Sequence, residues 1–164
     1  MKYAAIVLVV LFIIVSTGFV LYQSKESVET PYETSSELLD GNHLPVAFTQ
    51  FKGNVVFINN WASWCPPCVA EMPSIQNLKN NLKNEDIVFI MVSYDDSPEK
   101  ALRFIQKKNF DFEVYFPGKK YPFHTASIPA TFILDKNGAV VASHSGMSKF
   151  DNPELIKKIK ELTK

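Results

Sequence analysis

The sequence predicts an α/β domain in which a central mixed sheet carries helices on both faces. Short runs of β-branched and apolar residues, suited to buried strands, alternate with stretches whose apolar residues recur at helical spacing. Nearer the C-terminus, two further apolar runs are separated by the turn sequence Asp135-Lys136-Asn137-Gly138, which predicts a β-hairpin. The order strand–helix–strand–helix, followed by a hairpin and a last helix, is typical of a mixed sheet covered by helices.

Before the domain, residues 1–23 are predicted to form a single transmembrane helix. Residues 3–22 carry no charge, and twenty residues at helical rise span about 30 Å, the thickness of a bilayer's hydrocarbon core. The alternative is a cleaved secretory signal ending near Ser16-Thr17-Gly18. We favour a retained anchor because the apolar run continues to Tyr22. With Lys2 on the inner side, the domain is expected outside the cytoplasm, on the periplasmic side.

Residues 24–40 are predicted to form a flexible acidic linker between the anchor and the domain. Five acidic residues and a single lysine stand among serines and threonines with one proline. Such a composition buries little apolar surface. The folded domain is therefore predicted to span residues 41–164.

In the first half of the domain, buried strands are predicted at 55–58 and 87–92, with a helix over 66–83 between them. A second helix is predicted to begin at Ser97-Pro98-Glu99, where an N-cap residue, a proline and an acidic residue follow one another. The side chains of this helix expected to face the core are Ala101, Leu102 and Ile105.

In the second half, the strands of the hairpin are predicted at 131–134 and 139–142. The last helix is predicted to begin at Asn152-Pro153-Glu154, again with a capping residue and a proline in the first turn. Its core-facing residues are expected to be Leu155, Ile156, Ile159 and Leu162.

Composition and charge exclude several classes of protein. A chain of 164 residues suffices for one domain, and a hydrophobic content of 46% supports a sizeable core. Lys+Arg and Asp+Glu both number 17, and there is no basic run, so the chain lacks the electrostatic signature of a nucleic-acid-binding protein. No nucleic-acid partner is therefore expected.

The chemistry is predicted to lie in Cys65-Pro66-Pro67-Cys68, between a strand and a helix. At a helix N-terminus, free N–H groups and the helix dipole stabilise the thiolate of Cys65. Cys68 stands three positions later and can close a disulfide with it. Cys65 would attack the disulfide of a partner, and Cys68 would then attack the mixed disulfide and release the product. Half of a zinc site and an inert structural bridge are the alternatives.

The domain resembles the thioredoxin-fold family, and more closely its membrane-tethered TlpA/ResA-like branch of extracytoplasmic thiol–disulfide oxidoreductases. The resemblance rests on the block 61–68, on Pro73 and on the segment 127–131. Pro73 matches the proline that kinks the family's active-site helix. The segment 127–131 is similar to the family's cis-proline segment, which implies that Ile128-Pro129 faces the cysteines and offers backbone groups to a substrate.

Glu71 matches the glutamate of the branch's C-x-x-C-x-x-E-x-P pattern. Ordinary thioredoxins carry a buried aspartate six residues before the first cysteine, where this chain has Asn59. The resemblance therefore implies that Glu71 accepts the proton of Cys68 when Cys68 resolves the mixed disulfide. The alternative is an exposed helix residue that only interacts with the helix dipole.

Substrate binding is predicted to involve four residues, Trp64, Pro66, Ile128 and Pro129. They would form an apolar rim around Cys65 that suits an extended protein segment. Trp61 either belongs to this rim or packs in the core. The segment 115–124 is predicted to be a branch-specific insertion near the site, with a plain connection as the alternative.

Three functions remain open. The first is a reductase of protein disulfides, for example in cytochrome c maturation, with a membrane thiol–disulfide relay protein as electron donor. The second is the same chemistry as a disulfide oxidase or isomerase. The third is a module that handles copper or zinc, for which His43, His124 and His144 show no ligand spacing. No metal and no cofactor are predicted.

Overall fold

A computed structural model describes residues 30–32 and 35–164, and within them seven strands form one sheet in the order β2-β1-β5-β4-β3-β6-β7. The strands are β1 (Glu37–Leu39), β2 (Pro45–Ala47), β3 (Val55–Trp61), β4 (Ile87–Ser93), β5 (Val114–Pro117), β6 (Ala130–Leu134) and β7 (Val140–Ser145). The helices are a 3₁₀ helix (Phe48–Phe51), α1 (Pro66–Asn81), α2 (Pro98–Lys108) and α3 (Pro153–Leu162). Each strand and α-helix predicted from the sequence is present, and the α/β class with a mixed sheet is confirmed.

The α-helices cover one face of the sheet. The strands β3, β4 and β5 are parallel neighbours, so the connections through α1 and α2 step in the same direction along the sheet. Because such crossovers are right-handed, they place both helices on the same face. Buried side chains of all three α-helices accordingly join one core cluster with Val55 and Phe57 of β3.

Helices were expected on both faces of the sheet, and the opposite face corrects this, because none of the three described α-helices packs there. Val56 and Ile58 of β3 point to this face and pack with Phe48 of the 3₁₀ helix. Tyr121 and Phe123, from the segment between β5 and β6, complete this second cluster. Loop side chains and a short 3₁₀ helix therefore cover this face.

The domain includes residues before 41, which corrects the end of the predicted linker 24–40, while residues 24–29 and 33–34 of that linker lie outside the described residues. Strand β1 pairs antiparallel with β2 and β5, and its Leu38 is fully buried. Tyr32 is buried as well, against the hairpin turn at Gly138, where φ is +87° and a Cβ atom would lie 2.6 Å from the Tyr32 ring. The strand contributes one buried apolar residue among acidic and hydroxyl side chains, so composition alone does not reveal it.

The predicted anchor, residues 1–23, lies outside the described residues. Among residues 30–32 and 35–164, no helix combines the length and the apolar character needed to cross a bilayer. The anchor therefore stays a prediction from the sequence.

Two amphipathic helices test the predicted core residues. In α2, Ala101 and Ile105 are buried, whereas Leu102 is 42% exposed, so the prediction for Leu102 is wrong. A step of one residue turns a helix by about 100°, which takes Leu102 away from the buried stripe formed by Ala101 and Ile105. In α3, Ile159 is fully buried, and the other three predicted residues are partly buried against the same cluster.

Candidate active site

The two cysteines lie where β3 ends and α1 begins. Cys65 is the N-cap residue of α1, and the Cys68 amide donates a hydrogen bond of 3.3 Å to its sulfur. The pair forms the predicted disulfide, with an S–S distance of 2.02 Å and a Cα–Cα distance of 5.3 Å. Because Pro66 and Pro67 lack N–H groups, the Cys68 amide is the first donor that the helix offers to Cys65.

The segment before β6 lies directly beside Cys65. The Ile128–Pro129 peptide bond is cis, as the resemblance implies, and the Ile128 carbonyl oxygen lies 3.9 Å from the Cys65 sulfur. Behind it, the Gly146 amide donates a hydrogen bond of 2.9 Å to the Pro129 carbonyl oxygen. The predicted proximity of this segment to the cysteines is therefore present, while its role in substrate binding stays a prediction.

Glu71 is buried, at 2% exposure, which rules out the alternative of an exposed helix residue. Its Oε1 accepts a hydrogen bond of 2.7 Å from Asn59 Nδ2, and its Oε2 accepts one of 3.0 Å from the Ser148 amide. Burial raises the pKa of Glu71 above its ordinary value, although these two donors and the nearby His144 act in the opposite direction. A buried carboxyl group with a raised pKa suits the role of a proton acceptor.

Asn59 connects Glu71 to the sheet. Its Nδ2 also donates a hydrogen bond of 3.0 Å to Thr131 Oγ1 on β6, and its Oδ1 is buried without a partner. Asn59 occupies the position of the aspartate of ordinary thioredoxins. Glu71, to which the resemblance assigns the role of that aspartate, is therefore hydrogen-bonded to the residue at the aspartate's position.

The four residues predicted to form an apolar rim around Cys65 differ in exposure. Trp64 is 64% exposed, Pro66 is exposed and Ile128 is half-buried, whereas Pro129 is buried. Trp61 is fully buried and packs on the Phe104 ring, so it belongs to the core.

Met147 adds an apolar residue that the sequence analysis missed. It is 57% exposed and stands between Gly146, bonded to Pro129, and Ser148, bonded to Glu71. No local sequence signal marks it, because only the fold brings this loop to the site.

Asp95 is a second residue that sequence reasoning missed. Its carboxylate accepts hydrogen bonds from the Ser63 amide (3.0 Å), the Ser63 hydroxyl (2.6 Å) and the Ser93 hydroxyl (2.9 Å). These bonds hold the turn that carries Trp64 and Cys65 to the start of α1. The parallel pairing of β3 and β4 brings the ends of the two strands together. Because both strands were predicted from the sequence, the proximity of the residues that follow them could have been inferred.

The predicted insertion 115–124 is tied to the centre of the sheet. The Tyr121 hydroxyl donates a hydrogen bond of 2.5 Å to Asn60 Oδ1, and Asn60 Nδ2 donates one of 2.7 Å to the Phe123 carbonyl oxygen. Burial raises the pKa of Tyr121. The first residues of the segment belong to β5 and the rest cover the sheet, so its observed contribution is structural.

The three histidines are not brought together. His124 Nδ1 lies 3.3 Å from the Tyr94 hydroxyl, His144 lies on β7, and His43 precedes β2. Among the residues that the structure describes, no group of three or more His, Cys, Asp or Glu side chains is arranged to hold a metal ion.

Comparison with known proteins agrees with this fold and site. The Redoxin family matches residues 25–158. The thiol-disulfide oxidoreductase ResA of Bacillus cereus is 28% identical over 162 residues, which cover 93% of this chain and 94% of that protein. The ResA of Bacillus subtilis is 25% identical over 146 residues, which cover 84% of this chain and 82% of that protein.

Solved structures agree as well. A crystal structure from Chlorobium tepidum, of a protein assigned as a thiol:disulfide interchange protein DsbE, has a TM-score of 0.67 and 25% identity to this chain. The match covers 79% of this chain and 95% of that chain. The resemblance to the TlpA/ResA-like branch is therefore confirmed. The chain belongs to the Redoxin family and is a thiol–disulfide oxidoreductase with a thioredoxin-like fold.

Proposed function

We propose that the protein is an extracytoplasmic reductase of protein disulfides, held at the membrane by its N-terminal segment. The observation that carries the direction of the reaction is the donor set at Cys65. The two prolines that follow Cys65 leave the Cys68 amide as the first N–H of the helix. A thiolate with few donors is weakly stabilised, so the reduced pair gives up its electrons readily.

The proposed reaction begins with the reduced pair. The Cys65 thiolate attacks a sulfur of the client disulfide, and that S–S bond breaks. One client thiolate leaves, and the other client sulfur stays bonded to Cys65 as a mixed disulfide. Cys68 then gives its proton to Glu71 and attacks the Cys65 sulfur, which forms the disulfide observed here and releases the second client thiolate. Two electrons pass from the pair to the client.

The surface around Cys65 supports a protein client rather than a small thiol. Trp64, Pro66, Ile128 and Met147 offer apolar contacts to a partner, and the Ile128 carbonyl oxygen lies beside the reactive sulfur. A backbone acceptor flanked by apolar side chains suits an extended segment that carries a cysteine pair. We assign Trp64, Pro66 and Ile128 to substrate binding on this basis, and also the buried Pro129, because it belongs to the backbone segment beside Cys65.

The uncharged run 3–22 supports the membrane location, since it is long enough to span the hydrocarbon core. With the domain outside the cytoplasm, re-reduction of the disulfide requires two electrons from the membrane side. A membrane thiol–disulfide relay protein is the proposed donor. The cysteine pair of an apocytochrome c, kept reduced for haem attachment, is the proposed client.

The reduction potential of the full-length chain tests the direction. We expect a value at or below about −270 mV, the range of thioredoxin, whereas about −120 to −180 mV would make the protein an oxidase or isomerase. Pro67→Ala adds an N–H at the second helical position and should raise the potential by about 30 mV, since one hydrogen bond to a charged group contributes about 1.5 kcal/mol. Pro153→Ala, in the first turn of α3, is the matched control and should leave the potential unchanged.

Trapping of the mixed disulfide tests the division of roles. Cys68→Ser should accumulate a covalent complex between Cys65 and its client, because the resolving thiol is gone. The complex is measured on a non-reducing gel with a protein that carries one accessible disulfide. Accumulation in Cys65→Ser instead would reverse the two roles.

A further inference from the structure

Three directly opposed residues lead from the buried site to the surface of the sheet. Asn59 of β3 lies opposite Thr131 of β6, and Thr131 lies opposite His144 of β7. Directly opposed residues of antiparallel strands project from the same face, with Cβ atoms about 5 Å apart. Exposure rises along this row, from the fully buried Asn59 through Thr131 at 3% to the exposed His144.

Glu71 lies at the buried end of the row. Both of its carboxylate oxygens accept hydrogen bonds, one from Asn59 and one from the Ser148 amide. At 2% exposure the side chain has almost no contact with solvent. A proton that Glu71 takes from Cys68 in each cycle therefore needs a route through neighbouring groups.

A groove that reaches the hydrogen-bonding network of Glu71, though not Glu71 itself, offers such a route. It has a volume of about 190 Å³, is open to solvent, and is lined by Thr131, His144 and Ser148 among others. A water molecule occupies about 30 Å³ of liquid, so the groove has room for several. Two of these lining residues belong to the hydrogen-bonding network of Glu71, because Ser148 binds Glu71 and Thr131 binds Asn59.

The lining includes one imidazole, that of His144. Histidine is the side chain best suited to accept and release protons near neutral pH. The described titratable or charged groups on the elements around Glu71 are His144 on β7, Lys149 and Asp151 in the following loop, and the cysteine pair and Lys79 of α1. The facing residues of β3 and β6 are the uncharged Asn59 and Thr131.

We propose that the groove and His144 form the route by which Glu71 exchanges its proton with solvent in each catalytic cycle. The proposal rests on the role of Glu71 as proton acceptor of Cys68. After resolution, the proton leaves Glu71 on the side where Ser148 joins it to the groove, and passes to water there, then to the His144 imidazole and then to bulk solvent. Only a proton moves along this route, and His144 acts through Glu71.

Rapid-mixing measurements on the full-length chain test the proposal. The rate constant for resolution of a preformed mixed disulfide is followed from pH 5 to 9 in dilute buffer, with and without added imidazole. We expect His144→Ala to resolve the mixed disulfide about tenfold more slowly in dilute buffer, less than the roughly hundredfold of a direct general base, because His144 acts through Glu71. Added imidazole should restore its rate. His144→Gln, which keeps a polar side chain that does not titrate, should behave in the same way.

Two controls separate this route from other effects. Lys149→Ala removes a cation from the same groove and should keep the wild-type rate at every imidazole concentration. Glu71→Gln should stay slow with or without imidazole, because the proton acceptor itself is missing. A wild-type rate for Glu71→Gln would overturn the role of Glu71 in the proposed function.

Two results would overturn the route itself while Glu71→Gln remains slow. One is a wild-type rate in His144→Ala and His144→Gln. The other is a slow rate that imidazole does not restore, which would mark His144 as a structural residue only.

Discussion

Single residues of the site balance the cost of burying polar groups against the hydrogen bonds that they form. Glu71 places a carboxyl group in the interior, where the charged form is penalised by the loss of water. The amides of Asn59 and Ser148 offset part of this cost, but desolvation is the larger effect and raises the pKa of Glu71. The same imbalance makes the carboxylate a stronger base than an exposed glutamate, as proton transfer from a thiol requires.

Glu71→Gln should change how stability depends on pH. The folded-state pKa of Glu71 is raised, so its protonated form stabilises the fold below the unfolded-state value of 4.5, and this contribution is lost as pH rises through the folded-state pKa. Glutamine stays neutral throughout. The free energy of unfolding of the wild type should therefore fall relative to Glu71→Gln between pH 4 and pH 8, measured by urea denaturation.

The control for this prediction is Glu154→Gln on α3. Hydrogen bonding to Lys158 lowers the pKa of Glu154, so the sign of its effect should be reversed. This variant should lose stability relative to the wild type as pH rises toward the unfolded-state value of 4.5, with no further change well above it. If the free energies of unfolding of the wild type and Glu71→Gln differ by a constant amount from pH 4 to pH 8, the Glu71 pKa is not raised by burial and the prediction is contradicted.

Secondary-structure elements bring the site together at one edge of the sheet. Strands β3 and β4 are parallel, so both end at the same edge, where the first leads to Cys65 and the second to Asp95. The Asp95 carboxylate then bonds the turn after β3 through the Ser63 amide and hydroxyl. A turn with one carboxylate at its centre holds the start of α1, and with it Cys65, in a defined position.

Asp95→Ala should destabilise the protein and slow the reaction with a client disulfide. It leaves the donors of Ser63 and Ser93 without their acceptor, at a cost of about 1–3 kcal/mol for half-buried polar groups. Urea denaturation and the rate of disulfide reduction measure the two effects. Asp96→Ala is the matched control, because the Asp96 carboxylate is exposed and forms a surface ion pair with Lys100. Equal stability of the two variants would show that the Asp95 bonds contribute nothing.

The whole molecule is held by a sheet that extends beyond the strands around the site. Strands β1 and β2 complete it on the side of β5, and Leu38 of β1 is buried in the second core cluster. Tyr32 contacts the turn at Gly138, which joins β6 and β7 at the opposite edge of the sheet. Tyr32 and strand β1 are therefore part of the cooperative unit.

Leu38→Ala tests this boundary. Removal of a fully buried leucine side chain should lower the free energy of unfolding by about 2–5 kcal/mol. Leu44→Ala, at a position 60% exposed, should change it by less than about 0.5 kcal/mol. Urea denaturation of both variants is the measurement. A cost for Leu38→Ala as small as that of Leu44→Ala would restore the linker boundary at residue 40.

The sequence by itself determined the features that repeat over short distances. Runs such as 55–58 and 87–92 mark strands because a buried strand is apolar along its length. The turn at Gly138 and the cap at Asn152, which accepts a hydrogen bond from the Leu155 amide, follow from local backbone chemistry. The cysteine pair was placed correctly because its spacing and the adjoining strand and helix are themselves local.

The tertiary structure alone decided which distant residues meet. Glu71 is bonded to a residue 12 positions before it and to another 77 positions after it, and neither separation leaves a periodic trace in the sequence. The burial of Leu38, the exposure of Leu102 and the position of Met147 likewise depend on sheet register and on which face receives the helices. Local patterns report backbone preference and average burial, whereas the site depends on contacts that only packing creates.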